Sequence, residues 1–226
     1  MERVKEHYER LLAKNYTWMF GKPFDEKVAE QKAILQEALG GLSFRNGSAI
    51  DLGCGPGFQS IALAQMGFSP ILAIDSSTSL LNELRSHAEG LPIQAVENDI
   101  LHLEQLVSAR SAHVVVCMGD TVTHLEDRAA VLDLIRAVST TLASGAVFVI
   151  TYRDLSEPLY AADRFIPVQS DDQRIMTCFL EFDQPETVMV HDLVHTRGAA
   201  GWQFEKSCYR KLRLPIDWLG LVGTKQ

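Results

Sequence analysis

The sequence predicts a doubly wound α/β fold with an N-terminal helical lid and an antiparallel β insertion after the fifth strand. Three observations support this prediction. Short apolar runs alternate with helical patterns, a glycine-rich turn follows the first run, and runs rich in β-branched and aromatic residues replace the alternation after Tyr152. With 226 residues, 46% of them hydrophobic, the chain can bury one sizeable core. We divide it into a lid at 1–44, a core at 45–155, and an antiparallel lobe with the start of a final helix at 156–226.

The N-terminal lid is predicted to contain two helices. The stretch "RVKEHYERLLAKNYTWMFG" predicts one helix that ends in an aromatic cluster closed by Gly21. The stretch "FDEKVAEQKAILQEAL" predicts a second, which follows Pro23 and stops at Gly40–Gly41.

Five apolar runs predict the strands of the core: "SAIDLG", "PILAID", "IQAVEND", "AHVVVCMGD" and "GAVFVITY". Helical patterns lie between them: "FQSIALAQM", "STSLLNELRSHA", a short "ILHLEQLV" and "EDRAAVLDLIRAVSTTLA". Because the strand runs are almost continuously apolar, we expect strands that are covered on both faces, as in a parallel sheet.

The pattern changes after Tyr152. Three longer runs predict an antiparallel meander: "RIMTCFLEFD", "ETVMVHDLVHT" and "WQFEKSCYRKLRL". The final stretch "KLRLPIDWLGLVGTKQ" predicts the start of a helix at Pro215. No apolar strand pair follows it, so we expect five parallel strands without a terminal β-hairpin.

Composition narrows the functional classes. The formal net charge of −8 argues against a broad nucleic-acid surface, and we expect no nucleic-acid partner. No apolar run approaches the roughly 18 residues of a membrane span, so we expect no membrane partner either. The four cysteines form no CxxC pair, which favours reduced thiols in a cytoplasmic protein.

The most specific segment is the glycine-rich turn "DLGCGPG". Gly53, Gly55 and Gly57 let the backbone turn tightly and lie close to a ligand between the first strand and the next helix. Asp75 ends the second predicted strand, where a carboxylate can accept both hydroxyls of a ribose. Asp99 ends the third, beside the place that an adenine would occupy. A tight structural turn is the alternative to a ligand loop.

Two adenosine-bearing cofactor classes compete for this loop. A dinucleotide fingerprint needs a small residue at the position where Phe58 stands. A carboxylate at Asp51 would repel a pyrophosphate, whereas it suits a cofactor with an amino group and a sulfonium. The pattern therefore favours S-adenosylmethionine over NAD.

From about Gly47 to Tyr152 the sequence resembles the class I S-adenosylmethionine-dependent methyltransferases, which have a Rossmann-like fold. The resemblance rests on "DLGCGPG", "AIDSS", "ENDI" and "CMGDTVTHL". It implies a methionine contact at the glycine turn, a ribose contact at Asp75, an adenine contact at Asp99 with Ile100, and a segment beneath the sulfonium at Met118 and Gly119. The predicted cofactor-binding residues are Asp51, Gly53, Cys54, Gly55, Gly57, Asp75, Ser76, Asp99, Ile100, Met118 and Gly119. Tyr16 and Met19 of the lid are added because the N-terminal segment must cover something; core or lid packing is the alternative for both.

Four residues near the ends of strands four and five are candidate catalytic groups: Asp120, His124, Tyr152 and Arg153. Each has a structural alternative: Asp120 as a turn cap, His124 as a buried residue at a helix start, and Tyr152 and Arg153 as packing or ion-pairing residues. His191 and His195 share one face of a predicted strand roughly 13 Å apart, too far for one metal ion, and we predict no metal site.

The substrate is predicted to be a small molecule. The (Asp/Asn)-Pro-Pro-aromatic signature of the methyltransferases that modify bases is not matched by "GDTVTH", and no paired glutamates indicate a protein arginine substrate. The segment "YTWMFG" and the insertion resemble the glycine N-methyltransferase type, which implies N- or O-methylation by a monomer or homodimer. Two alternatives remain: an NAD(P)-dependent oxidoreductase, and a non-catalytic protein that binds the cofactor or a partner.

Overall fold

The computed structural model describes residues 2–40 and 47–223, and the chain divides into two compact units. Unit 1 takes its described residues from Met1–Lys22, Thr123–Glu126 and Arg153–Gln226, and unit 2 from Pro23–Val122 and Asp127–Tyr152. The predicted boundary at 44/45 lies outside the described residues. The three-part division of the sequence therefore stays a prediction.

The N-terminal segment of unit 1 is helical but interrupted. It consists of α1 (Glu2–His7), a π-helical turn (Tyr8–Leu12) and two 3₁₀ turns (Ala13–Asn15 and Trp18–Phe20). The side-chain amide of Asn15 donates a hydrogen bond to the carbonyl oxygen of Leu11 at 3.0 Å. In a regular α-helix that oxygen would accept the N–H of residue 15, so the side chain competes with the helix. The prediction of one continuous helix is wrong, because π-helical and 3₁₀ turns replace the α-helix from Tyr8 onward. Its predicted end is confirmed, because Gly21 is left-handed with φ +64°.

Unit 2 contains the central sheet. Its helices are α2 (Phe24–Ala38), α3 (Phe58–Gln65), α4 (Thr78–His87), α5 (Leu103–Leu106) and α6 (Arg128–Thr141). Its strands are β1 (Ala49–Leu52), β2 (Ile71–Asp75), β3 (Ile93–Glu97), β4 (Ala112–Cys117) and β5 (Leu142–Ile150). All pairings are parallel, in the order β3-β2-β1-β4-β5. This confirms the predicted doubly wound parallel sheet. The strand order reverses between β1 and β4, and a ligand crevice is expected outside their carboxyl ends.

The last helix of unit 2 is shorter than predicted. We expected "EDRAAVLDLIRAVSTTLA" to be helical to its end, but α6 stops at Thr141 and β5 begins at Leu142. The hydroxyl of Thr141 donates to the carbonyl oxygen of Ala137 at 2.9 Å. Such a β-branched hydroxyl residue disfavours further helix, which explains the early end.

Unit 1 contains a separate antiparallel sheet of four strands in sequential order: β6 (Phe165–Ser170), β7 (Arg174–Glu181), β8 (Thr187–Gly198) and β9 (Gly201–Leu212). Helix α7 (Ile216–Gly223) follows. The predicted antiparallel insertion is confirmed, but it has four strands where we expected three. Pro167 hid β6 from the sequence pattern, because proline is tolerated only at edges and bulges. Here β6 is an edge strand, and its register shifts between Pro167 and Gln169.

Within the described residues the central sheet has five strands, as predicted, and β3 and β5 form its edges. None of the helices in residues 2–40 and 47–223 combines the length and the apolar character that crossing a bilayer requires.

Candidate active site

The glycine loop, Gly53–Gly57, leads from β1 into α3 in a backbone conformation that requires glycine. Gly53, Gly55 and Gly57 have φ values of +70°, +53° and +94°. The N–H groups of Gly53 and Cys54 donate to the carbonyl oxygen of Ile74 at 2.8 and 3.0 Å. The loop is therefore tied to the end of β2 and held at the carboxyl edge of the sheet.

Neighbouring side chains fill the space beside two of these glycines. A Cβ atom on Gly53 would lie 2.9 Å from Cβ of Thr121 and overlap the rest of that side chain. A Cβ on Gly57 would overlap the tip of Leu84 and lie 3.0 Å from its Cγ. The hydroxyl of Thr121 donates to the carbonyl oxygen of Met118 at 3.1 Å. Thr121 thus packs the segment after β4 against the loop after β1.

Asp75, at the end of β2, binds both the glycine loop and the start of α4. Its Oδ2 accepts the N–H of Gly55 at 2.8 Å, and its Oδ1 accepts the N–H of Ser77 at 2.8 Å. The residue is only half-buried. A carboxylate oxygen can accept a second hydrogen bond, so Asp75 can hold the loop and accept ribose hydroxyls at the same time.

Asp99 lies after β3, where the sequence predicts it. Its Oδ1 accepts the N–H of Leu101 at 2.9 Å and begins a 3₁₀ turn, Ile100–His102. Ile100 is buried, whereas Asp99 is half-buried. The turn presents a carboxylate beside an apolar residue, which is the combination that an adenine and its amino group need.

Asp51 differs from Asp75 and Asp99 because its side chain is buried in the interior of unit 2. It is 1% exposed, and its Oδ2 accepts the hydroxyl of Ser60 in α3 at 2.6 Å. Burial raises the pKa of Asp51 from 3.8 to about 7; the Ser60 hydrogen bond opposes this shift, and the charge of Asp75 adds to it. In this structure the carboxyl links β1 to α3.

Cys54 is also buried, and its pKa lies well above the ordinary value of 9.0 because burial disfavours the thiolate. The nearby carboxyls of Asp51 and Asp75 raise it further. A thiol held neutral in this way is a small loop residue and not a nucleophile.

The segment after β4 reverses direction at two left-handed residues, Gly119 (φ +74°) and Asp120 (φ +76°). Thr151 accepts both of their N–H groups. The N–H of Gly119 donates to Oγ1 of Thr151 at 3.0 Å, and the N–H of Asp120 donates to the carbonyl oxygen of Thr151 at 3.2 Å. A left-handed aspartate is uncommon. The two left-handed residues make a turn that directly follows the buried Met118.

Comparisons with known proteins agree with this arrangement. Residues 49–144 match a family model described as a methyltransferase domain. That match covers β1 to the start of β5, including the glycine loop, Asp75, Asp99 and Asp120. Residues 49–144 therefore form a methyltransferase domain, and the match supports the class I S-adenosylmethionine-dependent methyltransferase family.

Solved structures share its fold. The CcbJ methyltransferase from Streptomyces caelestis is 21% identical with a TM-score of 0.74, over 96% of this chain and 84% of that one. An S-adenosylmethionine-dependent methyltransferase from Clostridium acetobutylicum is 18% identical with a TM-score of 0.69, over 98% and 85%. CalS10 from Micromonospora echinaspora, an amino pentose methyltransferase involved in calicheamicin biosynthesis, is 17% identical with a TM-score of 0.67, over 93% and 86%. No curated protein matches the sequence.

Unit 1 of this methyltransferase contains a cavity of about 800 Å³. Residues of α1, β8, β9 and the segment after β4 line it, including His7, Arg10, His124, His191, Cys208 and Tyr209. We call it the unit 1 cavity. One predicted catalytic residue, His124, is in its wall.

The predicted site residues divide between the units. Unit 2 contains Asp120 and Tyr152 and all the predicted cofactor residues except Tyr16 and Met19, whereas unit 1 contains Tyr16, Met19, His124 and Arg153. Tyr16 and Met19 pack against an apolar cluster of Leu11, Leu12, Met176 and Val194. Tyr152 is half-buried and Arg153 is exposed. Their roles in binding or catalysis stay predictions.

Several predicted structural groups have specific partners. Nε2 of His191 lies 2.9 Å from Oε2 of Glu181, and His195 stacks on Phe204 with ring centroids 4.7 Å apart. In the described part of the chain no three His, Cys, Asp or Glu side chains come together as metal ligands would. Two basic residues at the end of β9 and just after it contact the protein and not only solvent. Lys211 is buried, and the guanidinium of Arg213 donates to backbone carbonyl oxygens, including that of Leu155 at 2.9 Å.

Sequence reasoning missed Thr121, which packs on the glycine loop, and Ser60, which bonds Asp51. It also missed His7, Tyr209 and Asp192 of unit 1. Thr121 lies inside the quoted segment "CMGDTVTHL", where the adjacent Gly-Asp pair could have indicated a turn that packs on another loop. For the three residues of unit 1 the sequence carries no local signal, because their partners are distant along the chain.

Proposed function

We propose that this methyltransferase transfers a methyl group from S-adenosylmethionine to a nitrogen or oxygen of a small molecule. In this proposal unit 2 holds the cofactor and the unit 1 cavity holds the acceptor. The observation that carries it is the cavity itself: about 800 Å³ falls within the range of small-molecule sites, and its wall includes imidazole, phenol and guanidinium groups.

The residues of unit 2 fit the cofactor. The glycine loop exposes backbone without side chains, Asp75 can accept ribose hydroxyls, and Asp99 with Ile100 offers a polar and an apolar contact for an adenine. When bound, the cofactor supplies an activated methyl group on a sulfonium. The chain therefore has to orient the acceptor, exclude water and remove a proton from the acceptor.

The wall of the unit 1 cavity contains three imidazoles, and His124 is the one among them that the sequence predicts as catalytic. The imidazole of His124 can take a proton from an N–H or O–H of the acceptor, since one of its ring nitrogens can act as a base. Asp120, Tyr152 and Arg153 stay candidate catalytic residues in this proposal. CalS10 acts on an amino pentose, so amino sugars are the first acceptors to test.

Changing Asp75 to alanine tests the cofactor site. Two charged hydrogen bonds to ribose would be lost, so we expect affinity for S-adenosylmethionine to fall by about 2–3 kcal/mol, or roughly 30- to 150-fold. Titration calorimetry of the full chain measures this directly, with S-adenosylhomocysteine and NAD in parallel. Asp133→Ala is the matched control, since Asp133 is an exposed residue of α6 that pairs with Arg136. An unchanged dissociation constant in Asp75→Ala would remove Asp75 from the site.

The acceptor class is tested by incubating the protein with isotopically methyl-labelled cofactor and a panel of amino sugars and simple amines. We expect formation of S-adenosylhomocysteine that depends on the acceptor, with label appearing in a product of low molecular mass. Label recovered in nucleic acid or in protein, with none in the small molecules, would contradict the proposal.

A further inference from the structure

Unit 1 buries a histidine–carboxylate pair that the proposed chemistry does not use. Nε2 of His7, in α1, lies 2.9 Å from Oδ2 of Asp192, in β8. The two residues are 2% and 4% exposed. Burying either polar group alone is costly, so each stabilises the other, and the pair holds α1 in one position against the sheet.

The imidazole of His7 also orients a tyrosine. The ring of Tyr209 lies against it, with centroids 4.4 Å apart and planes 37° apart. Tyr209 is 6% exposed, so its ring has little room to move. Because the Asp192 hydrogen bond fixes the plane of the His7 ring, it also limits the positions that the Tyr209 ring can occupy.

Tyr209 in turn contacts His124. The ring of His124 meets that of Tyr209 edge to face, with centroids 5.4 Å apart and planes 82° apart. Tyr8, from the turn that follows α1, contacts the same imidazole at 5.8 Å and 66°. Edge-to-face aromatic pairs have a preferred geometry, so these two contacts favour one orientation of the His124 ring.

His7, Tyr209 and His124 all line the unit 1 cavity. The series of contacts therefore runs from a buried carboxylate to the one predicted catalytic residue in the cavity wall. Each member belongs to unit 1.

We propose that Asp192, His7 and Tyr209 are positioning residues that hold the imidazole of His124 in the orientation needed to take a proton from the methyl acceptor. This inference rests on the proposed function, since it assigns the acceptor to the unit 1 cavity. Asp192, His7 and Tyr209 act through His124.

The chain contains a matched control for this series. His191, on the same strand as Asp192, pairs with Glu181 at the same 2.9 Å. That pair is partly exposed, with side chains 30% and 50% accessible, and the ring of His191 lies tilted against that of Phe179. Removing it deletes a histidine–carboxylate pair of equal length without touching the contacts of His124.

The experiment compares His7→Gln with His191→Gln in the full chain. Glutamine can still donate a hydrogen bond toward Asp192 but lacks the ring that supports Tyr209. We expect His7→Gln to shift the imidazole resonances of His124, identified by their loss in His124→Asn, and to lower kcat about 10- to 100-fold. The dissociation constant for S-adenosylmethionine should stay the same. His191→Gln should leave the His124 resonances and the dissociation constant for S-adenosylmethionine unchanged. Its kcat is not part of the comparison, because His191 also lines the unit 1 cavity.

Tyr209→Leu gives a second route if His7→Gln folds poorly. It removes the ring contact while leaving His7 and Asp192 paired, and it should also shift the His124 resonances. Unmoved His124 resonances in His7→Gln or Tyr209→Leu, or equal shifts in His191→Gln, would overturn the inference. The resonance measurement needs no turnover, so it tests the positioning series by itself. Failure of the proposed function would show differently, as the absence of acceptor-dependent turnover in the unaltered protein.

Discussion

Gly57→Ala should lower the free energy of unfolding by about 2–5 kcal/mol. The left-handed backbone at φ +94° costs an alanine about 1–2 kcal/mol, and forcing a methyl group into a packed core costs about 1–3 kcal/mol more. The methyl group would overlap the tip of Leu84, which is fully buried. Urea unfolding, followed by far-ultraviolet circular dichroism, measures the change.

Gly67→Ala separates the two causes. Gly67 has nearly the same backbone angle, φ +92°, but a Cβ there meets nothing within 4 Å. Gly67→Ala should therefore lower the free energy of unfolding only by the cost of the left-handed backbone, about 1–2 kcal/mol. Equal destabilisation by the two substitutions would show that Leu84 yields freely. Because Gly57 begins α3 at the end of the glycine loop, we also expect Gly57→Ala, and not Gly67→Ala, to weaken cofactor binding.

Asp51 should make the protein less stable as the pH rises from about 4 to about 7. Its pKa is about 7 in the folded state against 3.8 as the ordinary value, so folding favours the protonated form. The destabilisation is absent below the unfolded pKa, grows through this window and reaches about 4 kcal/mol above pH 7, at about 1.4 kcal/mol per pKa unit.

Asp51→Asn should abolish this contribution. Between pH 5 and pH 8 the stability of the native protein should fall by about 3 kcal/mol relative to the Asn variant, as measured by urea unfolding at both values. Ser60→Ala provides a second test. The Ser60 hydroxyl lowers the pKa of Asp51, so its removal should steepen the fall. Parallel stability–pH curves for the native and Asn variants would contradict the assignment.

The central sheet was predictable because its strands are short, apolar and separated by helices of regular period. Each of β1 to β5 coincides with a run recognised in the sequence, and the parallel order follows from the connections. The positions of Asp75 and Asp99 were predictable for the same reason. A residue at the end of a parallel strand must lie at the carboxyl edge of the sheet.

The supporting contacts were not predictable, because they join residues that are remote in sequence. His7 and Asp192 are 185 positions apart, and nothing in "EHYER" distinguishes a buried histidine from an exposed one. Asp51 shows the same limit. Its pattern suggested an ionised carboxylate near the cofactor, whereas its protonation depends on burial and on Ser60 in another element. Strand β6 was not predicted because it contains Pro167. A proline is tolerated in a strand that has one unpaired edge, and the sequence does not show which strand lies at the edge.

The distribution of thiols offers a means of observing the unit 1 cavity. Cys54, Cys117 and Cys178 are buried, whereas Cys208 is exposed and lies in the cavity wall. A maleimide fluorophore should therefore attach to the native protein at Cys208 alone. Its emission would report the entry of an uncharacterised compound into the cavity before any methylated product is known, so candidate acceptors could be screened by an optical signal.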